Sequence, residues 1–229
     1  MKKTAQQLKA LISTPKKIVI TTHRGPDGDA MGSSLAFCNF LKKLGHTVNV
    51  ITPNEYAKFL HWLPGNDAVI NYEENEEKAA AITAEADLIF LLDFSHLSRI
   101  ATFASAVSKS KATKIMIDHH QDPDTDIAEL IFSDTTACST AQMVFEVMGA
   151  MDMTSYLNKE IAECLYLGIM TDTGSFKYAS TTAKTHHVIA ELINAGAENA
   201  KIHDLIYDYS SVNRIKLLGY CLNEKLILY

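Results

Sequence analysis

Short stretches of this 229-residue chain hold side chains able to do chemistry. The first is His23-Arg24-Gly25-Pro26-Asp27-Gly28-Asp29, with one imidazole and two carboxylates on a path that Pro26 and Gly28 force into a tight turn. Carboxylates held side by side repel strongly unless cations separate them. Hard oxygen ligands beside a nitrogen therefore point to a metal site. A Pro-Asp-Gly-Asp turn is equally an ordinary solvated loop, so the reading needs partners elsewhere. Familiar alternatives fail on spacing. A calcium loop starting at Asp27 would need Glu at its twelfth position, where Cys38 stands. No Gly-Lys-Ser/Thr follows, and Gly25, Gly28 and Gly32 do not have the dinucleotide-binding spacing. The candidate partners are Asp93, the run Asp118-His119-His120, and Asp172 in Thr171-Asp172-Thr173-Gly174.

The elements that must position these residues can be read from periodicity. A short amphipathic helix is predicted over 4–13, then a β-branched strand over 17–22 that ends at His23. Ala30 to Leu44 has a helical apolar face, with Gly45 at its end. A strand is expected over 46–52, a loop or short helix over 53–65, and an acidic surface helix over 71–86. Asp87-Leu88-Ile89-Phe90-Leu91-Leu92-Asp93 fits a strand buried on both faces of a parallel sheet. Val107 falls in a helical segment. Lys114 to Asp118 reads as another strand and Ala128 to Phe132 as a shorter one. Helices follow over 139–148, 159–169, 181–195, 199–208 and 211–221.

Strands alternating with helices imply an α/β fold with a mostly parallel sheet flanked by helices on both faces. Right-handed crossovers place the carboxyl ends of all its strands on one edge. His23 with Asp27 and Asp29, Asp93, and Asp118-His119-His120 should therefore converge there. Asp172 joins them if its helix packs across the sheet. Helix caps and solvated acids explain one such group easily and all of them poorly.

Composition sets the outer bounds. A chain that is 47% hydrophobic and 21% charged is ordinarily globular. A net charge of -6 argues against non-specific binding to duplex DNA. No apolar run approaches the ~18 residues of a membrane span, and the N-terminus lacks the apolar core of a signal peptide. Cys38, Cys138, Cys164 and Cys221 are widely spaced with no Cys-x-x-Cys, as in reduced core thiols of a cytoplasmic protein.

With these residues together, the chain resembles the DHH phosphoesterase superfamily. The blocks that carry the resemblance are His23 to Ala30, Leu91-Leu92-Asp93, Ile117-Asp118-His119-His120 and Gly168 to Phe176. The last block, followed by Thr181-Thr182 and Thr185, makes it most similar to the branch that hydrolyses small oligoribonucleotides and 3'-phosphoadenosine-5'-phosphate. The resemblance implies two divalent cations, typically manganese, with magnesium or cobalt as substitutes. It assigns His23 and Asp27 to the first, Asp29, His119 and Asp172 to the second, and Asp93 to both. Four carboxylates would balance two dications, and water activated between them would attack phosphorus. His120 is the candidate to contact the scissile phosphate, and Asp118 to orient a ligating imidazole from behind. Arg24 is either a phosphate ligand or a solvated loop residue. Ser139 and Thr140 either donate to phosphate at a helix N-terminus or cap that helix. Members of this branch usually carry a second domain with a Gly-Gly-Gly-His stretch, which does not occur here. The expectation is thus a catalytic domain over 1–195 and a helical extension or linker start over 196–229, without the C-terminal substrate domain. The expected partners are short RNA or a nucleoside bisphosphate, with no membrane and no duplex DNA, and with a homodimer left open. The alternatives are an exopolyphosphatase or pyrophosphatase with the same metal centre, or a nucleotide-binding module that does not turn over.

Overall fold

Aliphatic and β-branched runs form a six-stranded sheet in the computed structural model, which describes residues 1–208 and 210–227. The chain falls into two compact units, Met1–Ala197 and Glu198–Tyr229. The first opens with α1 (Lys2–Leu11), β1 (Lys17–Thr21), α2 (Gly28–Lys43) and β2 (Thr47–Thr52). It continues with β3 (Ile70–Asn71), α3 (Glu76–Ala84), β4 (Leu88–Leu92), α4 (Ala104–Lys109), β5 (Thr113–Asp118) and β6 (Leu130–Ser133). Helices α5 (Thr140–Ala150), α6 (Lys159–Asp172) and α7 (Ala183–Asn194) complete it.

The strand order is β3-β2-β1-β4-β5-β6, and every neighbouring pair is parallel. The chain moves outward from β1 through β2 to β3, then returns to place β4 on the other side of β1. The gap between the carboxyl ends of β1 and β4 is therefore the topological switch point, where open α/β sheets bind ligands. All of β4 is buried, because helices cover both faces of the sheet. On one face Phe37 of α2 meets Phe90 of β4 edge to face, with ring centroids 4.9 Å apart. On the other, Val19, Ile89, Leu91 and Met116 pack with Ala79 of α3 and with Phe103 and Val107.

Helix α2 starts at Gly28 rather than Ala30, because the Asp27 side chain accepts from the backbone N–H groups of Asp29 and Ala30, each at 3.0 Å. Helix α6 runs three residues past its expected end, to Asp172, and packs closely on α2. A Cβ on Gly32 would lie 2.5 Å from the Cys164 carbonyl oxygen, and one on Gly168 would lie 2.9 Å from Asp29 Oδ1. Only hydrogen fits at either position, and this close approach brings Asp172 to the sheet edge.

Other boundaries differ locally. The stretch expected as one helix over 71–86 divides into β3, a turn and α3, with Tyr72 N–H donating to the Thr52 carbonyl beside the sheet. The link from β4 to α4 is a 3-10 segment, Leu97–Phe103, with a kink at Ala101 (φ 49°, ψ -128°). Thr182 and Thr185 form a capping box at α7.

In the second unit, the helix expected over 199–208 is α8 (Asn199–His203) followed by a wider π-type turn, Asp204–Asp208. Helix α9 (Val212–Tyr220) is capped by Ser211, whose hydroxyl accepts from Arg214 N–H. The expected extension over 196–229 includes residues 209 and 228–229, which lie outside the described residues. Among the described residues, no helix is long and apolar enough to cross a membrane.

Candidate metal centre

Each candidate ligand stands at the end of an element. His23 follows β1, and Asp93 follows β4. Asp93 N–H still donates to the Ile117 carbonyl of β5 at 3.1 Å, so the ladder reaches it. Its φ of 67° then breaks the strand, in a left-handed conformation that Asp tolerates better than most residues. Asp118 closes β5 and is followed by His119 and His120. Asp29 lies in the first turn of α2, and Asp172 is the last residue of α6. Thus His23 and Asp93 flank the switch point, and the other groups meet them there.

The distances divide these side chains into overlapping sets. His23 Nε2 lies 3.5 Å from Asp93 Oδ2 and 3.8 Å from Asp27 Oδ2. His119 Nε2 lies 3.6 Å from Asp93 Oδ1, 3.9 Å from Asp29 Oδ2 and 3.5 Å from Asp172 Oδ2. One Asp93 oxygen therefore faces each set. Asp93, His119 and His120 also come close enough to share an ion. Both imidazoles are aimed by the backbone. His23 Nδ1 is 3.0 Å from the Arg24 carbonyl, and His119 Nδ1 is 3.4 Å from the Ala137 carbonyl. If each Nδ1 donates its proton there, each Nε2 lone pair points into the cluster.

The electrostatics call for cations. Burial pushes the Asp29 carboxyl well above the usual range, and the charges of Asp93 and Asp172 add to it. Asp172 is pushed up to about 6, first by burial; Asp93 and Asp27 raise it further, while His119 opposes. It also sits at the negative end of the α6 dipole, where an acid is misplaced unless a cation is near. Burial would raise Asp93 too, but the hydrogen bond from His23 and the charges of His23, His119 and His120 hold it below its ordinary value. Burial alone would lower His23, but hydrogen bonds to Asp93 and the Arg24 carbonyl raise it. Carboxylates with backbone-aimed imidazoles are a donor set that fits hard divalent cations such as manganese.

The remaining sequence candidates have definite places. His120 Nδ1 lies 2.7 Å from Asp118 Oδ1, and its N–H donates to Asp118 Oδ2 at 3.2 Å. Asp118 thus orients the imidazole of His120, and its hydrogen bond raises the His120 pKa. Arg24 donates to Glu73 at 3.3 Å on the surface. Ser139 and Thr140 are fully buried. The Ser139 hydroxyl accepts from Gln142 N–H and caps α5. Thr140 Oγ1 donates to Asp93 Oδ1 at 2.9 Å, and Thr140 N–H donates to Asp29 Oδ2 at 2.6 Å. Ala141 N–H donates to Asp29 Oδ1 at 2.8 Å. The α5 N-terminus therefore holds a carboxylate of the protein's own where phosphate was considered. Sequence reasoning missed Ala137 and Ala141, which act through backbone atoms and carry no side-chain signal.

Residues 17–169 match the DHH family, N-terminal domain. The chain is 31% identical over 223 residues to a bifunctional oligoribonuclease and PAP phosphatase, NrnA, of Thermus thermophilus, covering 97% of this chain and 62% of that protein. It is 30% identical over 213 residues to NrnA of Bacillus subtilis, covering 91% of this chain and 62% of that protein. The crystal structure of an exopolyphosphatase-related protein from Bacteroides fragilis superposes with a TM-score of 0.96 at 37% identity, over 100% of this chain and 67% of that one. On the strength of the match over residues 17–169, the identity to these relatives and the shared parallel-sheet fold, the chain belongs to the DHH family.

Proposed function

We propose that the chain is a metal-dependent phosphoesterase that hydrolyses short oligoribonucleotides or a nucleoside 3',5'-bisphosphate with two divalent cations, manganese foremost. The observation that carries this reading is Asp93, with one carboxylate oxygen toward His23 and Asp27 and the other toward His119, Asp29 and Asp172. His23 and Asp27 would hold one ion, Asp29, His119 and Asp172 the other, and Asp93 both. The two NrnA relatives, each a bifunctional oligoribonuclease and PAP phosphatase, support the substrate class. Bound divalent cations supply a water nucleophile ionised near neutral pH and Lewis-acid stabilisation of charge on phosphorus.

The chain's own residues supply orientation and a proton. With Nδ1 held by Asp118, His120 keeps Nε2 for a phosphate oxygen or the leaving oxygen, and its side chain is 43% exposed, within reach of substrate. The Asp118 hydrogen bond favours the protonated ring that such donation needs. Thr140 fixes the carboxylate plane of Asp93, and the α5 N-terminus fixes that of Asp29. The free, buried thiols of Cys38, Cys138 and Cys164 suit a reducing cytoplasm.

Phosphate release from 3'-phosphoadenosine-5'-phosphate and cleavage of a dinucleotide, each with and without manganese, test the proposal. Manganese-dependent turnover of either substrate is expected. Polyphosphate belongs in the panel because the Bacteroides fragilis relative is described as exopolyphosphatase-related. Turnover of polyphosphate alone would replace the nucleotide reading. Binding without any turnover would make the chain a nucleotide-binding module.

A further inference from the structure

We propose that Tyr178 is a stacking platform for the base of a bound nucleotide, and that it makes the chain prefer nucleotides to phosphoesters that carry no base. This inference rests on the phosphoesterase reading and adds a residue to that site.

Asp172, the last residue of α6, leads directly into the loop that carries Tyr178. The loop is pinned to the helix end. Thr173 Oγ1 donates to the Ile169 carbonyl at 2.6 Å and accepts from Phe176 N–H at 3.1 Å. The Thr173 carbonyl accepts from Lys177 N–H at 3.0 Å and from Tyr178 N–H at 3.1 Å, and Ser175 N–H donates to the Met170 carbonyl at 2.8 Å. Three successive residues, Gly174, Ser175 and Phe176, hold φ at 56°, 61° and 66°. That region is uncommon for Ser and an outlier for a side chain as bulky as Phe, so the surroundings impose the path. Phe176 is clamped from both helices, its ring centroid 5.8 Å from that of Tyr166 in α6 and 6.1 Å from that of His186 in α7.

This strained path seats the Tyr178 ring. A Cβ on Gly174 would lie 2.5 Å from Tyr178 Cζ, 2.6 Å from Cε1 and 2.9 Å from Cε2. Distances this similar put Gly174 under the face of the ring rather than at its edge. One face therefore rests on backbone, where only glycine leaves room. Tyr178 is nonetheless 60% exposed, the highest value for an aromatic residue among the described residues. Gly174 is two residues from Asp172, at most about 7 Å along the backbone. A nucleotide whose phosphate sits at the Asp172 side of the cluster spans that distance to a base on the ring. Base-on-aromatic stacking needs a flat face held in place, and it accepts any base because every base has a π face. A polyphosphate chain has nothing to stack.

The test compares the manganese-loaded full chain with Tyr178→Ala and Tyr178→Phe on adenosine 3',5'-bisphosphate and on its counterpart with an abasic ribose. Losing one stacked base corresponds to about tenfold or more. For Tyr178→Ala, kcat/KM should fall by about tenfold or more on the adenosine compound, mainly through KM, and stay near wild type on the abasic one. Tyr178→Phe keeps the π face and should stay within about twofold of wild type on both. Equilibrium binding of adenosine 5'-monophosphate and ribose 5-phosphate should show the same pattern, and manganese stoichiometry by electron paramagnetic resonance should stay at the wild-type value. Equal losses with and without the base, no loss in Tyr178→Ala, a Phe variant as weak as the Ala variant, or a drop in bound manganese would overturn the proposal. If the wild-type chain hydrolyses neither bisphosphate, the function reading fails, while the binding ratio still decides the role of Tyr178.

Discussion

Asp93 concentrates the demands of the site in one side chain. It is buried, left-handed in backbone, bonded to the Thr140 hydroxyl, and near Nε2 of two imidazoles. Asp93→Ala should lower kcat by about a thousandfold or more, consistent with losing a shared metal ligand, while far-ultraviolet circular dichroism stays near wild type. Retained activity would remove its place between two ions. Thr140→Val removes only the hydroxyl support and should weaken manganese binding by about tenfold to a hundredfold in a calorimetric titration. An unchanged affinity would mean the hydroxyl merely fills space. The candidate ligands were legible from sequence because each pairs a ligating type with a strand end or tight turn. Thr140 was legible only as a helix N-terminal residue. Its true partner, 47 positions away, depends on how α5 meets the sheet.

At the scale of elements, the α2–α6 contact aligns Asp29 with Asp172. Gly168→Ala would place a methyl group 2.6 Å from Ala141 Cβ and 2.9 Å from Asp29 Oδ1. The overpacking should cost about 1–3 kcal/mol of stability, seen as a lower urea midpoint, and should weaken the ion held by Asp29. A variant as stable as wild type would mean that the helices can separate without harm. Parallel strand direction followed from alternating strand and helix patterns, since β4 and β5 are apolar runs ending in acids, whereas the strand order is seen only in the fold. The two-residue β3 escaped notice because its pairing shows no periodicity so short. The end of α6 was placed at residue 169 because Thr171 to Gly174 reads as loop chemistry. In the fold, Thr171 Oγ1 bonds back to the carbonyls of Leu167 and Gly168, and the helix continues to Asp172.

For the whole molecule, four clustered carboxylates link folding to cations and to pH. Manganese at one hundred times its dissociation constant should add about 2.7 kcal/mol per independent site, raising the melting temperature, and chelator should reverse the gain. Without metal, Asp172 titrates near 6 when folded against 3.8 as its ordinary value, and Asp29 is shifted the same way. The folded state then binds more protons than the unfolded one between about pH 4 and 6, so stability should fall as pH rises through that window. Thermal melts of chelated protein at stepped pH check the sign, and a rise in stability from these groups would contradict it. The meeting of distant segments at one rim was foreseeable from parallel topology, and so was the balance of four carboxylates by two dications, whereas the burial of Asp29 and Asp93 depends on packing that the sequence does not display. The most direct test of the account is anomalous scattering from manganese-soaked crystals. It should show two peaks, one beside His23 and Asp27 and one beside His119, Asp29 and Asp172, with Asp93 between them. A single peak away from Asp93, or none, would contradict it.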